Sequence, residues 1–324
     1  MTLFDLGELD AATSVVRAHV PVTPLYEWPL LDAAAGSRVL VKHENHTPVG
    51  AFKVRGGLVF MDRLARERAD VTGVVSATRG NHGQSLAFAA RVHGRTATIF
   101  VPRGNSVEKN AAMEALGAEV IEFGDDFQAA RERSLEYAVE HGLEPVPPFH
   151  RDLVLGVATY ARELFDAAGP LDTVYVPVGM GSGVNAIIAV RDLLGLETKV
   201  VGVVADGAPS TLHSFERGDV VQTATAATFV DGVATRSPDP TAIAGIIAGA
   251  ARIIAVSDAE TAAAMRTIFS STHNVAESAG AIAFAGLLSE PAELRGERSA
   301  FVLTGGNVDA AQFRTVLAGG TPSA

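Results

Sequence analysis

Four short stretches carry residue types that can do chemistry together. In "GAFKVRGG", residues 50–57, a single lysine, Lys53, lies behind Phe52 and just ahead of two glycines. Burial disfavours the ammonium, so a partly buried amine loses its charge readily and becomes a nucleophile or Schiff-base former. On this reading the glycines let a cofactor approach the amine closely. The ordinary alternative is a solvated lysine in the first turn of a helix. In "SATRGNHGQS", residues 76–85, a strand runs into a helix that opens with Asn81 and His82. The first amides of such a helix bind anions; the alternative is an asparagine cap with a polar neighbour. In "VPVGMGSGVNA", residues 176–186, a strand leads through three spaced glycines into another helix. That is a phosphate cradle in physical terms. No Gly-Lys-Ser/Thr follows and the spacing departs from G-x-G-x-x-G, so a nucleotide is not favoured. In "VLTGGNVD", residues 302–309, a buried strand ends at the hydroxyl of Thr304; a threonine-capped tight turn is the alternative there. Together, an activated lysine, an asparagine at a helix start, a glycine loop and a strand-end hydroxyl are parts expected around pyridoxal phosphate. The lysine takes the aldehyde, the glycines the phosphate, and polar groups the ring oxygen and nitrogen.

The elements that must position these residues are legible as alternation. Apolar, β-branched runs at 73–77, 97–101, 119–123, 173–178, 199–205, 252–256 and 299–303 read as short buried strands. Segments of helical length lie between most of them. "NSVEKNAAMEALG" has Asn105 as its expected N-cap, Glu108 three residues on and Gly117 as its stop, and Ser257 and Glu260 stand at capping-box spacing. Strands alternating with helices imply βαβ units, mainly parallel sheets covered on both faces, and ligands at the carboxyl ends of strands. No linker or internal repeat separates the halves, so two domains are expected to be interleaved.

Composition narrows the function classes. The chain has 324 residues, which is about two domains of roughly 150 residues as a prior. A formal net charge of −11 disfavours nucleic acid and anionic membranes as partners. With no cysteine there is no disulfide, thiol nucleophile or thiolate metal site. The start lacks the pattern of a signal peptide and no run is long enough for a membrane span, so a cytoplasmic protein is expected.

The ordered set of motifs resembles the fold-type-II pyridoxal-phosphate enzymes, specifically the threonine/serine dehydratase and serine racemase group. The resemblance runs from "PVTPL" near residue 21 to "TGGNVD". It implies a tryptophan synthase β-like α/β fold of two interleaved domains with twisted parallel sheets: a large cofactor-binding domain of residues 1–72 and 149–324, and a small mobile one of 73–148. "GAFKVRGG" is similar to the family's Ser-Phe-Lys-x-Arg-Gly-Ala, which implies Lys53 as the Schiff-base lysine with Phe52 beside the cofactor. "RGNHGQ" is similar to Ser-Gly-Asn-His-x-Gln, implying Asn81 at the ring oxygen and Thr78 and His82 near the substrate carboxylate, with Gly80 also at the substrate; Arg79, which departs from the pattern, is a candidate partner for a carboxylate or phosphate, or a salt bridge at the cleft edge. "GMGSG" takes the place of the family's glycine run, implying Gly179, Met180, Gly181, Ser182 and Gly183 at the phosphate. "TGGN" implies Thr304 facing the pyridine nitrogen, and "ESAGA" implies Glu277 near the ring.

Departures from the family pattern shape the expected reaction. Ala51 replaces the usual serine, and Trp28 lies where relatives often carry serines. Arg79 stands where serine racemase has its proton-donating serine, and an arginine is a poor donor, so racemisation is disfavoured. Asp206 lacks a second carboxylate at matching spacing, so no metal is expected. The chain runs only a short way past the last motif, so the regulatory domain of feedback-controlled threonine deaminases is not expected. The resemblance implies a dehydratase, or ammonia-lyase, that turns a 3-hydroxy amino acid into a 2-keto acid and ammonia. L-Threonine and L-serine are the default substrates. Arg79, Ala51 and Trp28 also permit 3-phenylserine or 3-hydroxyaspartate, with Arg79 and Arg236 as partners for a second carboxylate. A β-replacement synthase, a racemase of the same fold and a non-catalytic cofactor-binding protein are the rival readings. A small amino acid as the ligand and a homodimer complete the expectation.

Overall fold

The computed structural model describes residues 3–324. Among them, ten strands form two sheets: β1 (Leu25–Glu27), β2 (Arg38–His43), β3 (Gly73–Ala77), β4 (Thr96–Val101), β5 (Glu119–Glu122), β6 (Glu144–Pro145), β7 (Thr173–Pro177), β8 (Lys199–Ala205), β9 (Arg252–Val256) and β10 (Arg298–Leu303). The larger sheet runs β1-β2-β10-β7-β8-β9 and the smaller runs β5-β4-β3-β6. Every pairing is parallel except β1 with β2. The α/β class with helix-flanked parallel sheets is therefore as expected. The larger sheet draws its strands from 25–43 and 173–303, and the smaller takes all of its own from 73–145.

All seven expected strands form, with ends shifted by a residue or so. Three further strands were not expected. β1 and β6 are too short to show a period. β2 carries Lys42, yet it is buried at five of its six positions. The Lys42 amine donates to Glu163 Oε2 at 2.6 Å and to the Thr23 carbonyl at 2.9 Å. A paired lysine can sit inside a sheet where an unpaired one would cost several kcal/mol (about 3–5).

One cap needs correction. Ser106, not Asn105, caps the helix Val107–Ala115, its hydroxyl accepting from Lys109 N at 3.0 Å. Asn105 instead donates to the Arg79 carbonyl and to Asn110 Oδ1. The capping box of Ser257 and Glu260 forms as read.

The helix Lys53–Glu67 follows β2 and joins the two halves of the molecule. A Cβ at Gly56 would stand 2.7 Å from the Leu153 carbonyl oxygen of the helix Arg151–Ala168, and one at Gly57 would collide with Ser85 of the helix Asn81–Val92. These glycines are thus spacers between helices rather than openings for a cofactor, which corrects the reading above. No helix among the described residues is long and apolar enough to cross a membrane.

Candidate active site

The cleft is built from the ends of three strands and the starts of three helices. β3 leads to the helix Asn81–Val92, β7 leads to the helix Ser182–Leu193, and β10 ends just before Thr304. Lys53 opens the helix after β2 with no side-chain cap. Its turn is tied to the strand end instead: Phe52 N donates to the Thr304 carbonyl at 3.0 Å, and Ala51 bridges Gly305. Thr47 holds the same turn from the other side, accepting from Ala51 N at 2.9 Å. The lysine's register is therefore set by the distant "TGGN" loop near the end of the chain.

The resulting space, about 460 Å3 including its mouth, is lined by Phe52, Lys53, Asn81, the run Gly179 to Gly183, Glu277 and Thr304. Ten of the residues singled out in the sequence thus meet here. Pro177, Gly232, Val233 and Ala279 complete the wall and were not anticipated. Thr78, Arg79, Gly80 and His82 do not line it. Thr78 and His82 are buried behind the loop, and Arg79 is exposed at its tip. Arg236 is exposed and Trp28 lies elsewhere, donating from its indole nitrogen to His43 Nε2 at 3.0 Å.

Three features give the cleft its chemistry. First, Lys53 is half-buried, and its Nζ lies 5.0 Å from the centroid of the Phe52 ring. Burial holds its pKa below the ordinary lysine value, with the Glu277 carboxylate opposing. Second, Gly181, at φ +93°, begins the helix Ser182–Leu193 without a side-chain cap, so the first-turn amides face outward unpaired by the helix. A Cβ at Gly179 would collide with the Gly232 carbonyl, so only glycine fits that approach. Third, Glu277 is buried, and burial pushes its carboxyl up to about 7. Asp231 adds to that push, while Lys109, a hydrogen bond from Asn81 and Lys53 oppose it. His82, buried and near Lys53, is pushed down to about 3 and is neutral.

Asn307 was missed as a site residue although "TGGN" contains it. Its Nδ2 donates to Asn81 Oδ1 at 2.8 Å and to the Val49 carbonyl at 2.8 Å. A Cβ on Gly50, at φ +68°, would come within 2.5 Å of Asn307 Oδ1. The signal was a polar residue directly after two glycines, which a turn explains equally well. Among the described residues no group of three or more His, Asp or Glu side chains gathers as a metal site.

A reactive amine, an anion cradle and a strand-end hydroxyl in one cleft fit pyridoxal phosphate. Comparison with known proteins agrees. The family model described as "Pyridoxal-phosphate dependent enzyme" matches residues 16–305. An L-threo-3-hydroxyaspartate ammonia-lyase of Pseudomonas sp is 33% identical over 98% of this chain and 100% of its own length. Its namesake from Saccharomyces cerevisiae is 30% identical over 97% of this chain and 96% of its own length. Among solved structures, the processed form of threonine deaminase isoform 2 from Solanum lycopersicum superposes with a TM-score of 0.88 at 27% identity, covering 98% of this chain and 95% of that one. Maize serine racemase shares the fold, with a TM-score of 0.90 at 22% identity over 97% of each chain. This chain belongs to the family of pyridoxal-phosphate-dependent enzymes, in the fold-type-II group of threonine dehydratases, hydroxyaspartate ammonia-lyases and serine racemases.

Proposed function

We propose that the protein is a 3-hydroxy amino acid ammonia-lyase, with L-threo-3-hydroxyaspartate as its first-choice substrate and L-threonine and L-serine next. The observation that carries the reaction is the meeting of the Lys53 amine, the Gly179–Gly183 helix start and the Thr304 hydroxyl in one cleft. The substrate choice is supported by the two full-length relatives of that name and by the exposed guanidinium of Arg79 beside the cleft.

The residues would act as follows. Pyridoxal phosphate, when bound, supplies the electron sink that acidifies the substrate's α-carbon. Lys53 would hold its aldehyde through Nζ, and the same Nζ, kept readily neutral by burial, would accept the substrate's α-proton. The amides of residues 180–183 hold the phosphate. Asn81, fixed by Asn307 and Glu277, would hold the ring oxygen. Thr304 would offer a neutral hydroxyl to the ring nitrogen; it donates to the Ala279 carbonyl at 3.2 Å in this structure. A neutral hydroxyl at that position would keep the cofactor's electron demand modest, which suits loss of the β-hydroxyl. Net, the Cα–H and Cβ–O bonds break, water leaves, and hydrolysis returns that water and releases ammonia and a 2-keto acid. Thr78, Arg79, Gly80 and His82 surround the substrate carboxylate when the small unit, residues 73–148, closes on the larger one. The working form is a cytoplasmic homodimer, by resemblance.

The test is a keto-acid and ammonia assay on the holoenzyme with threo-3-hydroxyaspartate, L-threonine, L-serine and L-threo-3-phenylserine. Stoichiometric keto acid and ammonia from threo-3-hydroxyaspartate at the highest kcat/KM is expected. No keto acid from any of the four, with an unchanged cofactor spectrum, overturns the reaction.

A further inference from the structure

Beside the cleft, but not lining it, one ion pair joins the two halves of the molecule. Lys109, on the helix Val107–Ala115, pairs through Nζ with Asp231, which opens the 3-10 turn Asp231–Val233. The lysine side chain is only 12% exposed. Its stem packs on the substrate loop: a Cβ on Gly80 would stand 2.8 Å from Lys109 Cδ. The turn on the other side supplies Gly232 and Val233 to the cleft wall, and the Gly232 carbonyl is the atom against which Gly179 must be glycine. Two neighbouring contacts cross the same boundary. Ser106 Oγ donates to Asp309 Oδ1 at 2.5 Å, and Glu108 Oε1 accepts from Ala310 N at 3.0 Å. One helix start thus holds the substrate loop, the phosphate-loop wall and the segment after "TGGN" in a single arrangement.

We propose that Lys109 and Asp231 are positioning residues that clamp the substrate loop to the wall of the cofactor cleft, so that the cleft's geometry and the charge balance around Glu277 are set together. Neither residue lines the cofactor cleft; Lys109 reaches the substrate loop only through its apolar stem. The inference rests on the pyridoxal-phosphate cleft and extends the proposed reaction. The charged groups facing Glu277 are Lys109, Asp231 and Lys53, with Asn81 as its hydrogen-bond donor. Asp309 adds a further carboxylate near Lys109. Burial opposes the Lys109 charge, but Asp231 and Glu277 outweigh it and keep the amine protonated. The two partners of the clamp therefore act on Glu277 with opposite sign.

That opposition makes the test specific. Holoenzyme carrying Lys109→Met, Asp231→Asn or Lys109→Arg is followed by hydrogen–deuterium exchange and by pH titration of the cofactor's visible band. Glu277→Gln identifies which titration step belongs to Glu277. Expected is exchange at residues 231–233 and 107–110 faster by roughly tenfold or more in the first two variants, and near wild type in Lys109→Arg. The Glu277 step moves to higher pH in Lys109→Met and to lower pH in Asp231→Asn. Unchanged exchange, or a step that moves the same way in both variants, overturns the clamp. Neither readout needs turnover, so a failed keto-acid assay with positive exchange and titration results would sink the proposed reaction and leave the clamp standing.

Discussion

Asn81 Nδ2 donates to Glu277 Oε1 at 2.6 Å, and the two residues come from opposite halves of the molecule. Asn81 begins a helix after the small sheet's β3; Glu277 precedes the helix Ser278–Ser289 that packs on the large sheet. The same asparagine accepts from Asn307. Its orientation is therefore over-determined: the amide is read as donor on one side and acceptor on the other, so a flip would break both bonds. Glu277 acts less as an ion here than as a buried acceptor whose charge is poised by its neighbours.

Replacing Glu277 by Gln keeps an acceptor for Asn81 and removes the titration. The wild-type carboxyl is raised from 4.5 to about 7 by burial first of all. Between those values the folded state binds more protons than the unfolded one, so wild-type stability falls as pH rises through that window. Melting of the cofactor-free proteins is expected to show Glu277→Gln gaining on wild type from pH 5 to pH 8, by up to about 3 kcal/mol. A difference that is flat with pH would mean that the carboxylate is stabilised by its neighbours after all.

Lys53→Ala removes the nucleophile and proton acceptor together. Turnover is expected to fall by roughly a thousandfold or more, and the protein should lose the visible band of a lysine-bound cofactor. The fold should persist, because the turn around Lys53 is held through backbone atoms of Ala51 and Phe52. Circular dichroism and a cofactor titration separate those outcomes.

Sequence alone revealed the residues that sit at strand ends, and not those that reach the cleft from afar. Asn81, the glycine run and Thr304 each stand at the end of a clear strand, and Lys53 stands out as a charge among glycines and apolar residues, which makes them visible. Lys109 and Asp231 are paired across 122 residues, and each taken alone is an ordinary charged residue in a helix or turn. β2 was hidden for a related reason: Lys42 breaks its apolar run, and only the folded chain shows Glu163 waiting for it. Gly56 and Gly57 were noticed but misassigned, because a glycine that admits a helix and one that admits a ligand look identical in one dimension.

Gly179→Ala tests the cradle by steric means. The added methyl would collide with the Gly232 carbonyl, which is backbone and cannot rotate away. Overpacking of this kind costs about 1–3 kcal/mol. Cofactor affinity is expected to fall about tenfold or more, because the displaced loop carries the phosphate-facing amides. Retained affinity would place the phosphate away from residues 179–183.

Arg55 lies two positions after Lys53 and is wholly enclosed. Its guanidinium donates to Glu44 at 2.8 and 3.0 Å and to Glu163 at 2.9 and 3.0 Å, while Lys42 supplies the second positive charge. The cluster ties β2, the helix that begins with Lys53 and the helix Arg151–Ala168 into one block. Arg55 and Lys42 face the two carboxylates from inside, and the partly exposed Arg17 reaches Glu163 Oε1 at 3.3 Å from the surface, so removing a buried member strands the others. Arg55→Met is expected to destabilise the protein by about 3–5 kcal/mol, since two buried carboxylates would lose their main donor. Burial works to raise the Glu163 carboxyl, but the hydrogen bonds and charges of Arg55 and Lys42 outweigh it and hold its pKa below 4.5. A depressed carboxyl contributes stability that is present above the unfolded pKa and lost as pH falls through the folded one. Wild type should therefore lose this contribution only below about pH 4.5, and Arg55→Met should lack that acid-side step. The simultaneous change of Lys42, Arg55, Glu44 and Glu163 to apolar residues of similar volume should recover much of the loss, since no buried charge is then left unpaired. If it does, while turnover stays low in a protein that melts like wild type, the cluster's second role is to hold Lys53 in register with Thr304.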